Sequence, residues 1–165
     1  MKLFHTMAAA AVAVVSMSIP ALAKVDAGTQ QLLQTLTEYG VTVLYNPPAC
    51  SEGWMGQYTT QKVMSICYSG QPDTETHDTV RHETMHVLQH CAALRRGDNR
   101  GITPLAINPS ERQQWVSSVL RSGDITKIKS MYPSRFHQIE LEAFAAAAHY
   151  NADELTTLVR QWCFK

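Results

Sequence analysis

The sequence has no excess charge of either sign, no apolar run long enough to span a bilayer, and no pair of cysteines two residues apart. Each absence excludes a class of protein. Its 14 Lys and Arg balance 14 Asp and Glu over 165 residues, whereas nucleic-acid binders carry a basic excess. No nucleic-acid partner is therefore expected, and the arginine cluster LRRGDNRG at 94–101 reads as a solvated loop. The apolar run from Met7 to Ile19 falls short of the roughly 20 helical residues a membrane span needs. Without a CxxC pair, a cysteine-zinc site is disfavoured. No linker composition and no internal repeat divide the chain, so residues 24–165 are expected to form one domain, long enough for a hydrophobic core.

The first 23 residues combine Lys2, the apolar run, Pro20 and the small-residue ending Ala21-Leu22-Ala23. That is the pattern of a secretory signal peptide, cut to leave Lys24 as the first residue of a soluble chain, secreted or periplasmic. No cysteine follows the cut to accept a lipid. The four cysteines, Cys50, Cys67, Cys91 and Cys163, are even in number, which in an exported chain favours disulfides. Cys50 and Cys67 bracket a hairpin region, while Cys91 and Cys163 each close a predicted helix. The pairings 50 with 67 and 91 with 163 are therefore expected among three possibilities.

Periodicity predicts a helix over 26–38, a strand over 41–45 closed by Asn46-Pro47-Pro48, and two strands in WMGQYT and KVMSICY around Thr60-Gln61. In the last of these, Val63, Ser65 and Cys67 alternate with Met64, Ile66 and Tyr68. A long helix follows over 75–94, stopped by Arg95-Arg96-Gly97. Further helices are expected through Leu120, with Ser110 as its cap and Pro109 helping to begin it, over the alanine-rich 134–149, and from Ala152 to Cys163. Between the 109–120 and 134–149 helices, Ser122-Gly123-Asp124 and MYPS read as turns.

Within the long helix lies His82-Glu83-Thr84-Met85-His86. Residues four apart on an α-helix differ by only about 40° around the axis, so His82 and His86 share a face and can grip one ion. Glu83 projects about 100° away, where its carboxylate can bond a metal-held water without entering the coordination sphere. An ordinary helix with polar-face histidines is the plain alternative. His90 continues the stripe but stands about 12 Å along the axis from His82, too far to share the ion. It is expected to support the site from behind or, more readily, to be exposed; His77 and His137 have weaker claims. The metzincin extension fails, because its glycine and third histidine would fall at Gln89 and Ala92. A third ligand is offered instead by Glu140 or Glu142, about fifty residues downstream on the alanine-rich helix.

HETMH followed by ELEAFA resembles the gluzincin-type zincin metallopeptidases, which pair a motif helix with a glutamate helix. Their Glu-x-x-Ala-Asp pattern maps its first glutamate onto Glu140, with Glu142 as the rival. Phe144 stands where the pattern has aspartate, so the support that residue gives a ligand is missing. The resemblance implies a small α+β zincin-like domain, a short sheet packed on the HExxH helix with the glutamate helix behind. It implies Zn2+ held by His82, His86 and Glu140, and a peptide or protein substrate hydrolysed by a metal-activated water with Glu83 as general base. Tyr132, His149 and Tyr150 are candidates to stabilise the oxyanion. The alternative from another class is a non-enzymatic metal-binding or protein-binding domain of the same fold.

Overall fold

A computed structural model describes residues 25–67, 74–98, 101–106 and 108–164; the expected leader lies outside them, as does Tyr68. These residues form a mostly helical α+β arrangement of six helices and a three-stranded sheet. The helices are α1 (Ala27–Glu38), α2 (Thr74–Arg95), α3 (Pro109–Val119), α4 (Ser122–Met131), α5 (His137–His149) and α6 (Ala152–Cys163). The strands are β1 (Thr42–Tyr45), β2 (Gly56–Thr59) and β3 (Val63–Ile66).

Local chemistry explains most of the boundaries. Asp26 caps α1 by accepting from the Thr29 N–H, Asn108 caps α3 through Ser110 and Glu111, and Asn151 with Glu154 forms a reciprocal capping box on α6. At the far end of α2, Gly97 takes a φ of 81°, a left-handed conformation that costs glycine little, and Asp98 N–H bonds back to Ala93.

Two expectations needed correction. Residues 122–124, read as a turn, are the first turn of α4, and α5 starts at His137 after a 3-10 turn over Ser134–Phe136. Gly123 is the second residue of α4, outside the helix interior where glycine costs most, and Ile128 of the same helix is buried.

The sheet order is β1-β3-β2, with β1 parallel and β2 antiparallel to β3. β3 shows the expected alternation: Met64 and Ile66 are buried while Val63 and Ser65 are half-buried. The central helix is α2, which packs against α5, α6 and the sheet. Its Val80, Val87 and Leu88 join Leu32, Leu36, Met64, Leu155 and Val159 in one core. Both expected disulfides are present: Cys50–Cys67 ties the segment before β2 to the end of β3, and Cys91–Cys163 ties α2 to α6. No helix among the described residues is long and apolar enough to cross a membrane.

Candidate metal centre

Alanines decide how close α5 comes to α2. Ala143, Ala145 and Ala146 are fully buried, and such short side chains let two helix axes approach until polar groups on both meet. Glu140 then faces His82 and His86. Glu140 Oε2 lies 3.3 Å from His82 Nε2 and 3.7 Å from His86 Nε2, and the two Nε2 atoms are 3.1 Å apart. Ligands about 2.0–2.1 Å from a tetrahedral zinc ion would stand roughly 3.3 Å from one another, which these separations match.

The protonation pattern points the same way. Gln89 donates its Nε2 to Ile139 O at 3.0 Å and to Glu142 Oε2 at 2.8 Å, which leaves Gln89 Oε1 as an acceptor. His86 Nδ1, 2.8 Å from that oxygen, must therefore carry a hydrogen. A neutral His86 consequently turns the lone pair of Nε2 toward His82 and Glu140. Glu140 Oε2 and Glu83 Oε2 are buried with no hydrogen-bond partner. Two imidazole nitrogens and a carboxylate oxygen converging in one buried place fit a cation, so His82, His86 and Glu140 form a group able to hold a metal ion.

Glu140 and Glu142 sit two residues apart on α5, about 200° around the axis, and therefore cannot both face the centre. Glu140 faces it. Glu142 is 1 % exposed and points away from the centre, accepting from Gln89 farther along α2, from Leu105 N–H at 2.9 Å and from Ala106 N–H at 3.1 Å. The rival ligand is thus a buried carboxylate clamp that fixes Gln89, and through it His86. A metal-bound imidazole ordinarily has such a partner on its other nitrogen. His82 lacks one: its Nδ1 is buried and unpartnered, and the Phe144 ring packs against it at 4.4 Å between centroids.

Electrostatics distinguish the two acids of the site. Burial pushes the Glu83 carboxyl up to about 7, against the pull of the His86 charge. For Glu140, burial also acts upward, but the two imidazoles beside it outweigh it and hold the carboxyl down to about 2. Burial lowers the pKa of His82. For His86 the same burial effect is outweighed by Glu140 and Glu83, and its pKa is raised. Glu83 also accepts from the Tyr58 backbone N–H, and β2 approaches it closely at Gly56. A Cβ at Gly56 would come within 2.6 Å of Thr79 Cγ2 and 2.8 Å of Glu83 Oε1.

His90, expected most readily to be exposed, is 3 % exposed and pairs with Tyr58 Oη at 2.8 Å. It lies away from the centre, as the axial distance required. His77 pairs with Asp26 at 3.1 Å, and His137 Nε2 with Tyr132 O at 2.8 Å. Of the three oxyanion candidates, Tyr132 lines the cavity at the centre; His149 and Tyr150 pack on Trp115 instead. Burial, helped by the Glu140 and Glu83 charges, pushes the Tyr132 phenol up to about 12, so it keeps its O–H at neutral pH.

Gln89, Gly56 and Tyr58 carry no sequence signal of this kind beyond one: Gln89 follows His86 by three residues and so shares its helix face. The cavity above the centre measures about 1310 Å³, with β2 on one side and α4, Tyr132 and α5 on the other. Compared with protein-family models, with curated proteins and with solved structures, the chain matches none.

Proposed function

We propose that the chain is an exported zinc-dependent peptidase with a gluzincin-type site in a small zincin-like domain. The observation that carries the reading is the convergence of His82 Nε2, His86 Nε2 and Glu140 Oε2, with the Glu83 carboxyl beside them at the floor of a cavity. Two imidazoles and one carboxylate suit zinc and leave a position open, the composition of hydrolytic rather than structural sites. Two disulfides are consistent with export. A polypeptide substrate is favoured because β2 is bonded to β3 on one side only and its other edge borders the cavity.

His82, His86 and Glu140 would hold the ion, which when bound supplies positive charge to acidify water and polarise a carbonyl. Glu83 takes one proton from the attacking water as the water oxygen bonds to the carbonyl carbon. It returns that proton to the amine as the C–N bond breaks, leaving a carboxylic acid and an amine. Burial raises the Glu83 carboxyl toward the range in which one group can both accept and return a proton. Tyr132, protonated and at the cavity wall, donates to the oxygen on which negative charge develops.

One observation favours the alternative of a metal-binding domain without catalysis: His82 Nδ1 has no partner, which weakens a ligand. Zinc analysis and peptide-library digestion of wild type and Glu83→Gln separate the readings. The peptidase reading expects zinc in both proteins and hydrolysis by wild type alone, with a loss of about 10² to 10⁴ in rate. Zinc in wild type without cleavage of any peptide would establish the alternative, and absence of zinc would remove both.

A further inference from the structure

Seven large apolar side chains are conspicuously exposed among the described residues: Leu44, Trp54, Met55, Leu94, Met131, Phe136 and Phe164. Four of them, Trp54, Met55, Met131 and Phe136, line the one cavity above the candidate metal centre. Exposed apolar groups scattered singly need no explanation, but their gathering at one concave place marks a surface that binds. Trp54 and Met55 lead into β2 on one wall. Met131 ends α4 and Phe136 precedes α5 on the facing wall. Ile139 and Phe144 continue the apolar lining inward to Glu140 and His82.

We infer that the site takes a polypeptide segment carrying a bulky apolar side chain, aromatic or aliphatic, seated between the Trp54–Met55 wall and the Met131–Phe136 wall. This rests on the hydrolytic reading above and adds to it the class of substrate. A small or acidic side chain would leave these four groups in water and recover none of their hydrophobic free energy. The rim charges reinforce the choice: with Asp78 paired to Arg81, Glu75 and Asp124 still outnumber Lys127 around the cavity and disfavour an acidic segment. They equally disfavour an anionic lipid surface. The four apolar groups also stand on two walls of a cavity, whereas a membrane-docking face presents them outward together.

The test uses zinc-loaded full-length protein and two end-blocked peptides identical except at one central residue, Phe in one and Ser in the other. Binding is measured on Glu83→Gln, hydrolysis on wild type, and zinc content on every protein. The Phe peptide is expected to bind at least about tenfold more tightly, the order of discrimination apolar contacts supply. Trp54→Ala and Phe136→Ala should each reduce that ratio severalfold. Both side chains are substantially exposed, 49 % and 39 %, so their loss removes little from the core. Equal binding of the two peptides, or a preference unchanged in both variants, would overturn the inference. So would phosphatidylcholine-vesicle binding that both variants abolish while the peptides go undistinguished, which would assign the patch to a membrane. Cleavage of both peptides at equal rates would remove the apolar preference and leave the peptidase reading standing. Preferential binding of the Phe peptide without cleavage would do the reverse.

Discussion

Tyr58 Oη lies 2.8 Å from His90 Nδ1, and this buried pair fastens the edge strand β2 to α2 two turns beyond Glu83. Burial lowers the pKa of His90, with the Lys62 charge adding, and raises that of Tyr58. The phenol is thus the donor and the neutral imidazole the acceptor. Because the Tyr58 backbone N–H also bonds Glu83, the same residue that locks the strand steadies the carboxyl.

Tyr58→Phe leaves His90 Nδ1 buried and unpaired, and should destabilise the protein by about 1–3 kcal/mol in urea unfolding, with zinc content unchanged. Adding His90→Phe should recover part of that loss, because removing both partners removes the unsatisfied group. A double variant less stable than the sum of the two single losses would contradict this account of the pair.

Glu140 and Glu142 should separate cleanly in metal binding. Glu140→Ala removes a ligand and should abolish stable zinc binding. Glu142→Ala only frees Gln89 and the 105–106 loop, so His86 loses its orienting partner and affinity should fall about 10- to 100-fold. Chelator competition measures both. Zinc lost completely in Glu142→Ala and retained in Glu140→Ala would reverse the assignment.

Gly56→Ala inserts a methyl group where Thr79 Cγ2 and Glu83 Oε1 already stand. Thr79 is β-branched with its hydroxyl bonded to Glu75 O, and Glu83 is buried, so the methyl strains both folding and the position of Glu83. With zinc retained, kcat should drop by about 10²-fold, the scale set by a displacement near 1 Å. An unaltered kcat in a folded, zinc-loaded variant would show that Glu83 tolerates displacement.

Asp26 links the start of α1 to pH. Its bond from the Thr29 N–H lowers the carboxyl pKa below 3.8, partly opposed by burial and assisted by His77 and Arg81. A carboxylate with a depressed folded pKa stabilises fully above its unfolded pKa and loses that contribution as pH falls through the folded one. Asp26→Ala should therefore cost about 1 kcal/mol at neutral pH and progressively less below pH of about 4. Unfolding curves of both proteins across that range check it; a cost that persists undiminished toward pH 2 would remove the carboxylate from the explanation.

Sequence periodicity exposed the elements whose signals are local. Leu32, Leu33 and Leu36 mark α1, the alternation around Met64 and Ile66 marks β3, and the small residues of AFAAAA with their flanking polar groups mark α5. α4 escaped because Ser122-Gly123-Asp124 is equally good turn chemistry, and only the packing of Ile128 decides for a helix. The same limit applies at the centre. His82, Glu83 and His86 are fixed relative to one another by one helix, and helical geometry alone makes them a possible grip on an ion.

What the chain by itself determined is therefore everything separated by a few residues: the two-histidine face, the 100° offset of Glu83, the exclusion of His90 by axial distance, and the opposition of Glu140 and Glu142. Which face of α5 meets α2 is a tertiary matter. It depends on where buried alanines allow approach, and that contact alone selected Glu140 for the centre and sent Glu142 to Gln89 and the 105–106 loop. Tyr58 and His90 meet across 32 residues of sequence for the same reason. A periodic pattern states which way a side chain leaves its own helix or strand, whereas its partner is decided only when the hydrophobic faces of two elements are buried against each other.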